Sequence, residues 1–276
     1  MLQKIQSLQN PTIKKIVQLQ SKARSRKKYQ QFVIEGISEL QIAISAHYTF
    51  ECILFCEEII SKENLSKKFP THPDKSLKFI VIDLKVFQKI AYRQTTGGVI
   101  AIANTRDFTL DKINFTNSSH PLILVAEAPE KPGNIGALLR TAHAANLDAV
   151  FIANPNTDMY NPNIVRSSTG SLFKVPIAVG TTLEILEYLK LHNFTICTTA
   201  LKNAEPYYKQ DFTKKTAIVV GTEHEGLSNT WIENTDQNLV IPMRNDIDSL
   251  NVSVAAGIFV FEAVRQRSLV VNPLPL

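Results

Sequence analysis

Three short stretches concentrate the side chains able to do chemistry. P-E-K-P-G-N-I-G-A-L-L-R-T-A carries Asn134, Gly136 and Arg140; G-T-E-H-E-G-L-S carries Gly221, Glu223 and Gly226; I-P-M-R-N-D-I-D-S-L-N-V-S carries Ser249, Leu250 and Asn251 ahead of a long apolar run. Two nucleotide readings can be tested against them. Gly221 to Ser228 has the glycine spacing of a phosphate loop, but Leu227 stands where the lysine is needed, and Glu223 and Glu225 would repel phosphate. P-G-N-I-G-A-L-L lacks the third glycine of a dinucleotide fingerprint. An anionic cofactor is therefore disfavoured. A cationic or zwitterionic ligand bearing an adenine suits the loops better, because Ile241, Met243 and Leu250 can hold a flat ring while carboxylates tolerate a positive centre. Ser249 and Asn251 also have a plain structural reading, as caps accepting from the first amides of the following helix.

The elements that must carry these loops follow from periodicity. F-V-I-E-G at 32–36 reads as a strand and turn, S-E-L-Q-I-A-I-S-A as a helix, E-C-I-L-F-C-E-E and L-K-F-I-V-I-D as strands, V-F-Q-K-I-A-Y-R as a short helix and G-G-V-I-A-I-A-N as a strand. This predicts a small N-terminal α/β domain over residues 1–106. A polar, turn-rich stretch, D-F-T-L-D-K-I-N-F-T-N-S-S, is read as a linker over 107–119. From 120 to 276, apolar strands alternate with helices, which predicts a mostly parallel sheet covered on both faces. Ligands of such sheets bind beyond the carboxyl ends of the strands, where the three polar loops fall.

Composition narrows the function classes. The chain has 276 residues, 44% of them hydrophobic, with no apolar run near the ~18 residues that span a bilayer. The N-terminal M-L-Q-K-I-Q-S-L-Q-N-P-T-I-K-K has no secretory apolar region, and three cysteines, Cys52, Cys56 and Cys197, are an odd count for a disulfide framework, so a cytoplasmic protein is expected. Cys52 and Cys56 lack a matching ligand pair and the six histidines show no ligand spacing, so no metal is expected. Charge is local. Residues 1–34 hold eight basic side chains and no acidic one, while the whole chain nets +5, leaving −3 for the rest. Lys14, Lys15, Lys22, Arg24, Arg26, Lys27 and Lys28 are the expected RNA contacts; a solvated helix face is the alternative.

The three stretches resemble the motifs of the SpoU/TrmH family of RNA ribose 2'-O-methyltransferases, in the SPOUT class: N-x-G-x-x-x-R at Asn134–Arg140, G-x-E-x-x-G-L at Gly221–Leu227, and I-P-M followed by S-L-N-V-S from Ile241 to Ser253. The resemblance extends through F-E-A-V-R-Q-R at 261–267. Its N-terminal part, N-P-T-I-K-K-I-V-Q-L-Q-S-K-A-R-S-R-K-K-Y-Q-Q-F-V-I-E-G, looks like the substrate-binding domain of the ribosomal-RNA members. It implies S-adenosylmethionine as methyl donor, a trefoil knot that binds it, a homodimer, and ribose 2'-O-methylation of RNA, with large-subunit ribosomal RNA as the target. It further implies catalytic roles for Asn134, Arg140, Glu223, Ser249 and Asn251, and cofactor contacts from Gly221, Ile241, Met243 and Leu250. Arginine stays protonated at neutral pH, so Arg140 is assigned to clamping phosphate and stabilising a developing alkoxide, although the family match is often given the role of base. Asn245 stands where many relatives have glycine after I-P-M-x. A transfer-RNA target, or an RNA-binding protein that kept the fold without catalysis, are the alternatives.

Overall fold

The computed structural model describes residues 3–69, 77–92, 97–116, 118–222, 225–244 and 249–271. The chain forms two compact units, Met1–Arg106 with Asp158–Lys174, and Asp107–Thr157 with Val175–Leu276.

The first unit is built on a five-stranded sheet. Its elements are β1 (Gln3–Ile5), α1 (Pro11–Ser21), α2 (Ala23–Tyr29), β2 (Gln31–Glu35), α3 (Ile37–Ser45), β3 (Phe50–Cys56), α4 (Lys62–Lys68), β4 (Lys78–Ile82), α5 (Leu84–Ile90) and β5 (Val99–Asn104). The strand order is β1-β4-β3-β5-β2, with β5 antiparallel to both its neighbours. Helix α1 begins where Asn10 accepts from the Thr12 amide and Pro11 supplies a helix-ready φ, and it buries Ile13, Ile16 and Leu19 on one face. That face packs into a core with Leu54, Ile80, Phe87 and Ile102. The polar residues between are left outside, which is why the basic side chains of this segment are mostly exposed.

The second unit carries β6 (Leu122–Glu127), α6 (Pro132–Ala144), β7 (Ala149–Ala153), then, after the excursion of α7 (Pro162–Ser167) into the first unit, β8 (Ile177–Gly180), α8 (Thr182–Leu191), β9 (Thr195–Thr199), β10 (Glu205–Pro206), β11 (Thr216–Val220), α9 (Asn229–Glu233), β12 (Gln237–Val240) and α10 (Val252–Val271). The seven strands run β10-β12-β9-β11-β6-β7-β8, and every pairing is parallel. The mostly parallel sheet expected from the sequence is therefore present. Strands β6, β7 and β11 are buried along their whole length, as continuous apolar runs require when both faces are covered. Helix α10 packs on α6 and is anchored at its end by Arg267, whose guanidinium donates to the carbonyls of Phe212, His120 and Lys214 at 2.8, 2.6 and 2.6 Å.

Two boundaries differ from the sequence expectation. The stretch read as a linker packs onto the second unit, because Leu110, Ile113 and Phe115 are apolar residues spaced to reach its core and the Phe108 carbonyl accepts from Val179 at 2.6 Å. Asp158–Lys174 joins the first unit through Tyr160 and Phe173, which cluster with Phe32 and Tyr48, and through Asp158, which receives two hydrogen bonds from Arg26. Among the described residues no helix is long and apolar enough to cross a membrane.

Candidate active site

Because the seven strands are parallel, their carboxyl ends share one edge, and the loops leaving β6, β9, β11 and β12 meet there. A cavity of about 420 Å³ opens at this edge, within the roughly 300–1,000 Å³ of small-molecule pockets. Its walls are Leu227, Ile232, Leu239, Ile241, Leu250 and Phe259, with the hydroxyls of Thr199, Thr222 and Ser249 and the carboxylate of Glu225 at its rim; Met243 also lines it. No lysine or arginine is among the described lining residues. A phosphate-bearing ligand would find no counter-charge here. A flat adenine fits the aliphatic walls, and a sulfonium is tolerated beside Glu225, so the residues present suit S-adenosylmethionine.

The glycines explain how the floor is made. After β11 the chain doubles back: the Thr222 amide donates to the Gly226 carbonyl at 2.9 Å, and Gly226 takes φ +69°, a left-handed conformation that side chains other than glycine adopt at a cost. A Cβ on Gly221 would stand 2.3 Å from both the carbonyl carbon and the oxygen of Gly226. The turn closes this tightly only around hydrogen atoms. Its far side is fastened by Glu127 at the end of β6, which is 5% exposed. One oxygen of Glu127 accepts from the hydroxyls of Thr182 and Ser228 at 2.7 and 2.8 Å, and the other accepts from the Ser228 amide at 2.8 Å. This buried carboxylate ties the loop after β11 to β6 and to the start of α8.

The sequence-predicted residues are placed as follows. Ser249, Leu250, Ile241 and Met243 line the cavity, and Gly221 forms the close approach beneath it. Asn251 caps α10: its side-chain oxygen accepts from the Ser253 amide at 3.1 Å and from the Ser253 hydroxyl at 2.6 Å. The same side chain donates from its amide nitrogen to Asn134 at 3.3 Å, across 117 residues of sequence. The capping reading of Asn251 therefore holds, and the same side chain also reaches the first residues of α6. Arg140 stands on the exposed side of α6, outside the cavity lining, and its guanidinium makes no hydrogen bond or ion pair among the described residues. Glu223 and Asn245 lie outside the described residues.

Of the basic set, Lys14, Lys22, Arg24, Lys27 and Lys28 are exposed. Lys15 is half-buried on Glu51 at 2.5 Å. Arg26 is different: it is 5% exposed, holds both oxygens of Asp158 at 3.0 and 2.6 Å, and donates to the Leu19 carbonyl at 2.7 Å. Its charge is spent inside the unit, so it is not among the exposed basic side chains. No cluster of metal-ligating side chains occurs among the described residues. Glu127, Thr199 and Phe259 were missed by sequence reasoning; the first two end strands that the strand-end rule points to, whereas Phe259 is one apolar residue among many in α10.

Residues 121–261 match the model of the SpoU rRNA Methylase family, just over half of the chain. The chain belongs to that family. Residues 10–101 match the MRM3-like substrate binding domain. The 23S rRNA (guanosine(2553)-2'-O)-methyltransferase RlmP of Bacillus subtilis is 28% identical over 94% of this chain and 98% of its own length. The 23S rRNA (guanosine-2'-O-)-methyltransferase RlmB of Ralstonia nicotianae is 34% identical over 70% of this chain and 79% of its own. Among solved structures, an RNA 2'-O ribose methyltransferase superposes with a TM-score of 0.82 at 35% identity, covering 96% of this chain and 100% of that one. AviRb from Streptomyces viridochromogenes, solved with AdoMet, superposes with a TM-score of 0.84 at 25% identity, over 94% and 99% of the two chains. The family's fold is thus the one seen here, a SPOUT-type parallel sheet following a substrate-binding domain.

Proposed function

We propose that this chain transfers the methyl group of S-adenosylmethionine to a ribose 2'-hydroxyl of RNA, with large-subunit ribosomal RNA as its target. The observation that carries this reading is the joining of all three loops at one strand edge: a mostly apolar cavity, without a cationic side chain among its described lining residues, to which the second and third loops contribute, and the Asn251–Asn134 hydrogen bond linking the third to the first. Family membership makes the chain a methyltransferase of RNA. The ribosomal target follows from relatives such as RlmP and RlmB and from the matched substrate-binding domain.

When bound, the methyl donor supplies an electrophilic sulfonium methyl. The chain's own residues do the rest. Ile241, Met243 and Leu250 hold the adenine side of the cavity, and Gly221 lets the floor close. A ribose hydroxyl is a poor nucleophile, so it must be oriented and its developing charge stabilised. Asn134 and Asn251, fixed to each other, orient the sugar with Ser249; Arg140, uncommitted among the described residues, offers guanidinium donors to the adjacent phosphate and the developing alkoxide. Glu223 is assigned to orienting Arg140 or the loops.

The unit built on Met1–Arg106 is the RNA-gripping part, through exposed Lys14, Lys22, Arg24, Lys27 and Lys28, and the other unit is catalytic. The active form is a homodimer. Helix α10 leaves Val254 and Phe261 52% and 49% exposed on the same stripe as Gly257 and Ile258, and a Cβ on Gly257 would meet nothing within 4 Å, which leaves room for a second copy. The cytoplasm is its place of work, where ribosomal RNA is found and three buried free thiols stay reduced.

The test is transfer of tritiated methyl into ribosomal RNA followed by alkaline hydrolysis. A methylated 2'-oxygen cannot attack its phosphodiester, so label in alkali-resistant dinucleotides is expected; label released in mononucleotides, or none incorporated, overturns the reading.

A further inference from the structure

The first unit contains a second cavity, of about 370 Å³, that the methyl-transfer reading leaves unused. It lies where the end of α1, β2, the first turn of α3, the end of α5 and α7 come together, and all its lining residues belong to this unit. Apolar, buried Val33 and Ile90 are among its lining residues. One wall is a flat stack: the Arg166 guanidinium carbon lies 3.4 Å from the centre of the Tyr92 ring, and Tyr92 is 67% exposed. Two carboxylates are also among its lining residues. Glu35 is held rigid, with one oxygen accepting from the Tyr92 amide at 2.9 Å and from Gln20 at 3.3 Å, while Gln20 also donates to the Ile90 carbonyl at 2.7 Å. Glu39 lines the same cavity and makes no hydrogen bond or ion pair among the described residues. Exposed Lys89 and Ser21 also line it, and Ser21 is followed in the chain by exposed Lys22 and Arg24.

Each feature excludes a class of ligand. An anion alone would meet two carboxylates, and a metal ion would meet Lys89 and Arg166. A flat, neutral ring with donors on its edge and a phosphate on either side meets none of these objections. Unpaired RNA bases are recognised in this way, by stacking on an aromatic ring or guanidinium plane with hydrogen bonds to the exposed edge. Guanine is the base whose pairing edge offers two adjacent N–H donors to a single carboxylate. We infer that this cavity receives an unpaired guanine of the substrate RNA, stacked against Tyr92 and Arg166 with its edge on Glu39, while Lys89, Lys22 and Arg24 take the flanking phosphates. The inference rests on the RNA reading above and adds a base-reading site remote from the chemistry. Glu39 also suits the first turn of α3 electrostatically, so a role in base recognition must show itself as selectivity.

The experiment is fluorescence anisotropy on the full chain with labelled heptauridylate, the same oligomer with a central guanosine, and the same with a central inosine, which lacks the exocyclic amino group. The guanosine oligomer is expected to bind about tenfold more tightly than the other two, the scale of one two-pronged base contact. Glu39→Gln should erase that preference while leaving binding of plain heptauridylate unchanged. Tyr92→Ala should weaken the guanosine oligomer by about tenfold or more through lost stacking, and Tyr92→Phe should retain it. Variants that keep the wild-type order and strength of binding overturn the inference, as does free guanosine monophosphate competing as well as the oligomer, which would make the cavity a mononucleotide site. Methyl transfer by the wild type, measured alongside, separates the two readings. Transfer without guanine preference sinks this site alone, whereas a preference erased by Glu39→Gln without transfer supports the site and sinks the proposed reaction.

Discussion

Replacing Gly221 by alanine tests the link between backbone packing and cofactor binding at a single atom. The added Cβ would lie 2.3 Å from the Gly226 carbonyl carbon and oxygen and 2.6 Å from the Leu227 nitrogen, whereas ordinary contact begins at 3.4 Å. All three neighbours are backbone, so no side chain can rotate away. The turn from Thr222 to Leu227 must retreat by about 1 Å, an overpacking that costs roughly 1–3 kcal/mol, and the Thr222–Gly226 hydrogen bond is stretched or lost at a further ~1 kcal/mol. Thr222, Gly226 and Leu227 all line the cavity, so the displacement reaches the ligand. If half of that energy, about 1–2 kcal/mol, falls on binding, S-adenosylmethionine affinity drops about 5- to 30-fold, since ~1.4 kcal/mol is a factor of ten. Isothermal titration of the donor into wild type and variant measures this, with the denaturation midpoint as a parallel reading of the fold. Gly226→Ala is the comparator: its Cβ meets nothing within 4 Å and suffers only from φ +69°, a strain of roughly 1–2 kcal/mol. A dissociation constant for Gly221→Ala within twofold of wild type, or a larger loss from Gly226→Ala, refutes the steric account.

Arg140→Ala should leave donor affinity unchanged and cut single-turnover methyl transfer by about 10², as when one group stabilising an oxyanion is removed; turnover within threefold of wild type removes Arg140 from the mechanism. Glu127→Gln keeps the shape but sets an amide donor against the three donors from Thr182 and Ser228, so urea denaturation should show a loss of roughly 1–3 kcal/mol, and an unchanged midpoint would mean the network contributes nothing. Phe261→Asp should shift sedimentation at micromolar concentration from dimer to monomer, with self-association weakened by more than about tenfold; a monomeric wild type, or a variant that stays dimeric, counts against the α10 stripe. Burial pushes the Cys52 thiol up to about 11 and the Cys197 thiol up to about 12, so both remain protonated at pH 8. A thiol reagent should therefore label them roughly a hundredfold more slowly in the native protein than in denaturant.

Much of this protein is legible in its sequence, and for local reasons. Continuous apolar runs such as L-I-L-V-A-E and T-A-I-V-V declare strands buried on both faces, Asn10-Pro11 announces the start of a helix, and the three loop motifs carry the family resemblance residue by residue. The eight basic side chains ahead of Glu35 are equally a property of the chain alone. What sequence could not decide are matters of distance between residues far apart along it. Arg26 looks like its basic neighbours, yet helix phase turns it inward onto Asp158, 132 residues away, and removes it from the exposed basic set. Asp158–Lys174 sits between strands of one unit but packs with the other, because its aromatic side chains complete the cluster around Phe32. Asn251 could be read as a cap, and it is one; only the packing of α10 on α6 brings Asn134 within reach of the same side chain. Periodicity reports which face of an element is buried, whereas the partner of each buried or bonded group is chosen by the tertiary fold, where hydrogen bonds and apolar contacts are satisfied across long sequence separations.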